Sequence, residues 1–118
     1  MTAYTPGLHL LATFAAPAPA LRDVAGCQRF FEAQVRAFGL EQVGAAYHGF
    51  PAPGGFTAVL GLTESHLSIH TWPEHELATF DVFLSNFRRD NSATVRALYA
   101  ATLAYFGGTE LTLTELRR

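Results

Sequence analysis

The residues best suited to chemistry fall in one block, Glu64-Ser65-His66-Leu67-Ser68-Ile69-His70-Thr71-Trp72-Pro73-Glu74. It holds serine hydroxyls that can act as nucleophiles, imidazoles that exchange protons near neutral pH, and carboxylates at both ends. Leu67, Ile69 and Thr71 alternate with His66, Ser68, His70 and Trp72, a pattern of a strand with one apolar and one polar, functional face. That geometry argues against a zinc site made of His66, His70 and His75, because strand residues four apart lie about 13 Å from each other. Taken singly, Ser65 reads as a polar residue opening a strand, and His70 as a hydrogen-bonded sheet histidine. His9 and His48 read as sheet-packing residues, and no role is assigned to His66 or His75. The single cysteine, Cys27, reads as a small buried apolar residue and excludes an internal disulfide or a multi-cysteine metal site.

An absence narrows the chemistry further. All eight basic residues are arginine, so there is no lysine to form an internal Schiff base with pyridoxal phosphate. Chemistry on this chain that needs an electron sink of that kind would have to find it elsewhere.

These residues must be positioned by a small domain. At 118 residues the chain suits one compact unit, 1–118, with a real core. Gly7 to Phe14 reads as a buried strand ending in an Ala-Pro-rich loop, Ala15 to Ala20. From Asp23 to Gly39, Phe30, Phe31, Val35 and Phe38 recur at helical spacing, and Gly39 stands where a helix would stop. Val43 to Phe50 and Phe56 to Leu62 read as strands of a hairpin around Pro51-Ala52-Pro53-Gly54-Gly55. Strands over Ser65 to Trp72 and Leu77 to Leu84 follow. Asp90, Asn91 and Ser92 offer a cap to a helix whose stripe is Val95, Leu98, Tyr99, Leu103 and Phe106, ended by Gly107-Gly108. Leu111 to Leu116 closes the chain. The order β-α-β-β-β-β-α-β predicts an α+β fold, a two-layer α/β sandwich with helices on one face of a mainly antiparallel sheet.

The block from Glu64 to Glu74 strongly resembles the processing site of the small bacterial and archaeal S-adenosylmethionine decarboxylase proenzymes. The resemblance extends to Gly7-Leu8-His9, to Tyr47-His48-Gly49-Phe50 and to Asp81-Val82-Phe83, and so covers nearly the whole chain. It implies that Ser65 attacks the carbonyl of Glu64, that the ester eliminates to dehydroalanine, and that hydrolysis leaves a pyruvoyl group. The products would be a β chain, 1–64, and an α chain, 65–118, capped by the pyruvoyl derived from Ser65. Such a site must hold hydroxyl near carbonyl, stabilise an oxyanion and remove the serine α-proton. The resemblance assigns His70 as the processing acid or base, with Thr57 assisting. The pyruvoyl ketone would form the Schiff base with substrate, which answers the missing lysine without pyridoxal phosphate or a metal. Phe50 and Trp72 fall where the family stacks the adenine, and Glu74 where it contacts the ribose hydroxyls.

One position departs from the family pattern. Leu84-Ser85-Asn86 stands where the family has threonine-cysteine-glycine, so Ser85 occupies the place of the proton-donor cysteine. A hydroxyl is a far weaker acid than a thiol of pKa about 8.5.

The resemblance implies a pyruvoyl-dependent decarboxylase of S-adenosylmethionine in spermidine synthesis. Two alternatives follow from Ser85: a decarboxylase of ornithine or arginine on the same scaffold, or an uncut, inactive regulatory paralogue. The expected partner is a small-molecule substrate, S-adenosylmethionine or a basic amino acid. The family further implies a homodimer of cleaved protomers with sites at the interface. A net charge of −2 with scattered arginines argues against nucleic acid, and the lack of a long apolar run argues against a membrane span. No basic segment followed by an apolar one opens the chain, so the expected location is cytoplasmic.

Overall fold

Two-residue alternation decides which side of the sheet is covered. In the computed structural model, which describes residues 3–87 and 89–118, six strands form one antiparallel sheet in the order β2-β3-β4-β5-β1-β6. The strands are β1 (Leu8–Ala15), β2 (Gln42–Gly49), β3 (Phe56–Leu62), β4 (Ser65–Trp72), β5 (Leu77–Leu84) and β6 (Thr109–Arg117). One parity of each central strand is buried: Leu8, Leu10, Ala12 and Phe14 on β1, Phe56 to Leu62 at every second position on β3, Leu67 and Ile69 on β4, and Ala78 to Leu84 at every second position on β5. Helices α2 (Val24–Ala37) and α3 (Ser92–Phe106) cover this face and add Phe31, Val35, Val95, Leu98 and Phe106 to the core. Each large apolar side chain sequestered there contributes about 1.5–3 kcal/mol. The opposite parity, which includes His9, His66, Ser68, His70 and Asp81, faces away from the helices.

The expected α+β order is observed, with β3, β4 and β5 at their expected bounds. One expectation needs correction. Ala15 to Ala20, read as loop, runs into a short helix α1 (Ala18–Leu21), because Pro19 lies in its first turn, where a fixed φ and a missing N–H do no harm. Helix α2 starts where the Asp23 carboxylate accepts from the Gly26 amide at 2.9 Å, and Gly39, at φ +67°, follows its end. Helix α3 borrows its cap: Asp90 Oδ1 accepts from the Ser92 amide at 2.9 Å, while Asn91 donates through Nδ2 to the Ser85 carbonyl at 2.9 Å. Asn91 thereby fixes the segment that follows β5.

Both ends of β4 are anchored. At its far end, Thr71 donates from Oγ1 to the Leu21 carbonyl at 2.7 Å and accepts from the Phe56 amide at 2.9 Å, tying β4 to α1 and β3. The turn between β2 and β3 closes where the Phe50 amide donates to the Gly55 carbonyl at 2.9 Å. Gly55 has φ +100°, and a Cβ there would lie 2.9 Å from the Thr71 carbonyl and from Pro73, so only glycine fits.

Candidate active site

Position 65 has an unusual backbone conformation. Ser65 has φ +144°, a region that glycine occupies freely and other residues only at a cost on the order of 1–3 kcal/mol. The carbonyl that precedes it, that of Glu64, accepts a hydrogen bond from the Ser85 amide at 2.7 Å. A donor in that position polarises the carbonyl and would hold negative charge developing on its oxygen. The Glu64 carboxylate is paired with Arg89 at 3.1 Å.

Around the Ser65 side chain the open face of the sheet assembles a group that spans three strands. Ser65 Oγ lies 3.3 Å from His66 Nδ1, and His66 Nε2 lies 2.7 Å from Asp81 Oδ2. His9 Nε2 reaches the same Asp81 oxygen at 2.8 Å, and Ser68 donates to Asp81 Oδ1. Arg118 approaches His9 Nδ1 at 3.3 Å, and its guanidinium lies 5.4 Å from the centre of the Phe83 ring, which also packs against both imidazoles. Burial pushes the Asp81 carboxyl upward, but hydrogen bonds from Ser68, His9 and His66 outweigh it and hold the group below the usual carboxylate range. The His9, His66 and Asp81 donor atoms lie within 4.8 Å of one another, close enough to share a cation, but here both Nε2 atoms are bonded to the carboxylate itself.

The other expected residues gather at the opposite end of β4. Thr57 Oγ1 and His70 Nδ1 are 3.1 Å apart on neighbouring strands. Phe50, Trp72 and Glu74 line, together with Thr57 and His70, an open pocket of about 500 Å³. Phe50 is 50% exposed and Trp72 40%, so neither is an ordinary core aromatic. Ser65 and His70 stand five steps apart along the strand, roughly 16 Å, and Ser65 and Trp72 seven, roughly 23 Å. Within one chain, therefore, Ser65 and Ser85 are brought together, Thr57, His70, Phe50, Trp72 and Glu74 are brought together, and the two sets are apart.

The sequence reading gave His9 a packing role and His66 none, and it did not single out Asp81 as a site residue. Their shared feature, a position on the open face of β1, β4 or β5, depends on β1 and β4 both pairing with β5, and the bonds that join His9 and His66 to Asp81 span 72 and 15 residues. Cys27 is buried in α2 as expected, and burial, aided by the charge of Asp23, pushes its thiol up to about 12. Among the described residues no helix is long and apolar enough to cross a membrane.

Comparison with known proteins agrees with this architecture. The family described as S-adenosylmethionine decarboxylase matches residues 8–118. The S-adenosylmethionine decarboxylase proenzyme of Aquifex aeolicus (strain VF5) is 40% identical over 97 residues, covering 81% of this chain and 69% of that protein. The proenzyme of Methanococcus maripaludis (strain C5) is 44% identical over 64 residues, 54% of this chain and 52% of its own. The crystal structure of the adenosylmethionine decarboxylase from Aquifex aeolicus superposes with a TM-score of 0.76 at 32% identity, covering 98% of this chain and 91% of the other. A match over nearly all of the sequence, on the same fold, makes this chain a member of the S-adenosylmethionine decarboxylase family.

Proposed function

We propose that the chain cuts itself between Glu64 and Ser65 and then decarboxylates S-adenosylmethionine through a pyruvoyl group derived from Ser65. The observation that carries this reading is the junction itself: a serine in strained backbone beside a carbonyl already bonded to an amide donor, Ser85 N–H, at 2.7 Å. The residues fit the group, since Ser65 lies within reach of a histidine, an oxyanion donor and an open face. When formed, the ketone would accept the substrate amine and the electron pair left by carbon dioxide. No lysine is needed for that role.

The chain's own residues would divide the remaining work. Phe50 and Trp72 offer exposed ring faces to a purine and to the neighbouring sulfonium, and the Glu74 carboxylate can accept from two ribose hydroxyls. Two exposed aromatics favour a nucleoside over ornithine or arginine, whose small cationic side chains make little use of a purine-sized stacking pocket. The separation of roughly 23 Å along β4 means that a single substrate cannot touch Ser65 and Trp72 of the same protomer. We therefore propose a homodimer whose open sheet faces meet about a two-fold axis, with β4 strands running in opposite senses, so that Thr57, His70, Phe50, Trp72 and Glu74 of one protomer serve Ser65 of its partner. Leu11, Val59, Trp72 and Leu116, all exposed on that face, would be covered in such a pair. The proposed setting is the cytoplasm.

Denaturing mass spectrometry tests the assignment: two pieces, 1–64 and 65–118, with the second blocked at its amino end and labelled by an amine with cyanoborohydride, together with carbon dioxide release from S-adenosylmethionine. A single unbroken chain after prolonged incubation would overturn it.

A further inference from the structure

The His9, His66 and Asp81 group has no part in the roles assigned so far, and its hydrogen bonds hold the His66 proton on Nε2, leaving Nδ1 an acceptor where a reaction at Ser65 needs one. We propose that His66 is the catalytic residue that takes the Ser65 Oγ proton in the first step of self-cleavage and returns it to the leaving nitrogen, and that Asp81 is its positioning residue. The inference rests on the self-processing reading and deepens it.

The tautomers follow from what each neighbour can do. An ionised carboxylate only accepts, so a neutral His66 bonded to Asp81 Oδ2 at 2.7 Å carries its proton on Nε2. Its Nδ1 is then a bare acceptor, 3.3 Å from Ser65 Oγ. Arg118 only donates, so His9 accepts at Nδ1 and likewise turns Nε2–H toward Asp81. With Ser68 donating to the other oxygen, Asp81 is fully engaged and cannot rotate away without breaking three bonds. This is the arrangement in which a carboxylate orients an imidazole and stabilises its protonated form. His70, roughly 16 Å along β4, cannot reach Ser65 of its own chain.

The step is an isomerisation and needs no co-reactant. An Oγ lone pair forms a bond to the Glu64 carbonyl carbon as the Oγ proton moves to His66 Nδ1. The carbonyl π pair shifts onto its oxygen, held by the Ser85 amide. When the carbonyl re-forms, the bond from the Glu64 carbon to the Ser65 nitrogen breaks and His66 gives its proton to that nitrogen, leaving an ester and a free amine. Removal of the α-proton, which follows, stays with the partner's copy of residue 70.

The test follows the uncut chain by intact mass, with hydroxylamine to trap the ester. In folded His66→Asn, cleavage should slow by about 100-fold or more, with no hydroxylamine-sensitive chain, whereas His70→Asn should accumulate that chain. Added imidazole should restore cleavage to His66→Gly. Asp81→Asn should slow the same step and move its pH profile to lower pH, because the imidazolium would then face only His9 and Arg118 with no carboxylate to stabilise it. Wild-type speed in His66→Asn, ester accumulation in it, or cleavage that requires added zinc and stops with a chelator would overturn the inference while leaving self-processing intact. If the wild-type chain never cuts, the reading beneath it falls and this inference with it.

Discussion

The two ends of β4 are built on opposite principles. At the Ser65 end the polar groups satisfy one another: a carboxylate receives three side chains, each imidazole has both nitrogens engaged, and the backbone is held in a conformation that serine alone would leave. At the Trp72 end, two large aromatics and a carboxylate stand open to solvent around a pocket, and the Thr57 and His70 side chains are hydrogen-bonded to each other. On the proposed reading, the first would be organised for reaction before any ligand arrives. The second is organised to receive one, and its exposed aromatic surface is the kind that a bound molecule or a second protomer covers. If the proposed roles hold, their separation along one strand would place bond-breaking and recognition in different parts of one chain.

The hardest test of that division is Ser65→Ala, which should abolish cleavage altogether and leave a single mass, while ligand affinity at the Trp72 end survives in a titration with S-adenosylmethionine. Next, Glu74→Gln should still be cut but raise KM by about 10–100-fold, the loss of a charge-assisted hydrogen bond worth about 1.5–3 kcal/mol. Mixing Ser65→Ala with Trp72→Ala, each inactive in turnover, should recover about a quarter of the wild-type rate, since half the pairs are mixed and each has one complete site. No recovery would place both ends of a site in one protomer and break the comparison. Ser85→Cys should raise kcat by about tenfold without changing the rate of cleavage, because a thiol gives up a proton where a hydroxyl does not. The smallest effect concerns acid stability. The Asp81 pKa is depressed in the folded protein, so its contribution is complete above the ordinary carboxylate pKa of about 3.9 and is lost as pH falls through the lower folded value. Asp81→Asn should flatten that acid limb in a melting series, and an unchanged slope would show that the carboxylate adds nothing to folding.

Much of the Trp72 end was legible in the sequence. Pro51 to Gly55 marked the turn that presents Phe50, the alternation from Ser65 to Trp72 gave β4 its two faces, and these are local signals of turn chemistry and period. At the Ser65 end the sequence offered Glu64, Ser65 and Ser85 and the polar face with His66 and Ser68, but not the group around Asp81. His9 and Asp81 join it through pairing of β1 and β4 with β5, and no local pattern reports which strand lies beside which. The strand spacing that kept His66 and His70 from sharing a metal also separates Ser65 from His70, so the distance that motivates the proposed second protomer was implicit in the rise per residue. The short helix at Ala18 was hidden because prolines mark loops and first turns alike.

The strand order carries a last consequence. Were the chain severed after Glu64, β1, β2 and β3 would belong to one fragment and β4, β5 and β6 to the other, yet β1 lies between β5 and β6 and β3 lies against β4. The fragments would be interleaved, joined along three ladders of main-chain bonds and a common interior, so that scission alters one linkage and leaves nothing free to drift off. A protein woven in this way would keep its sheet whole if its backbone were broken at the turn between β3 and β4.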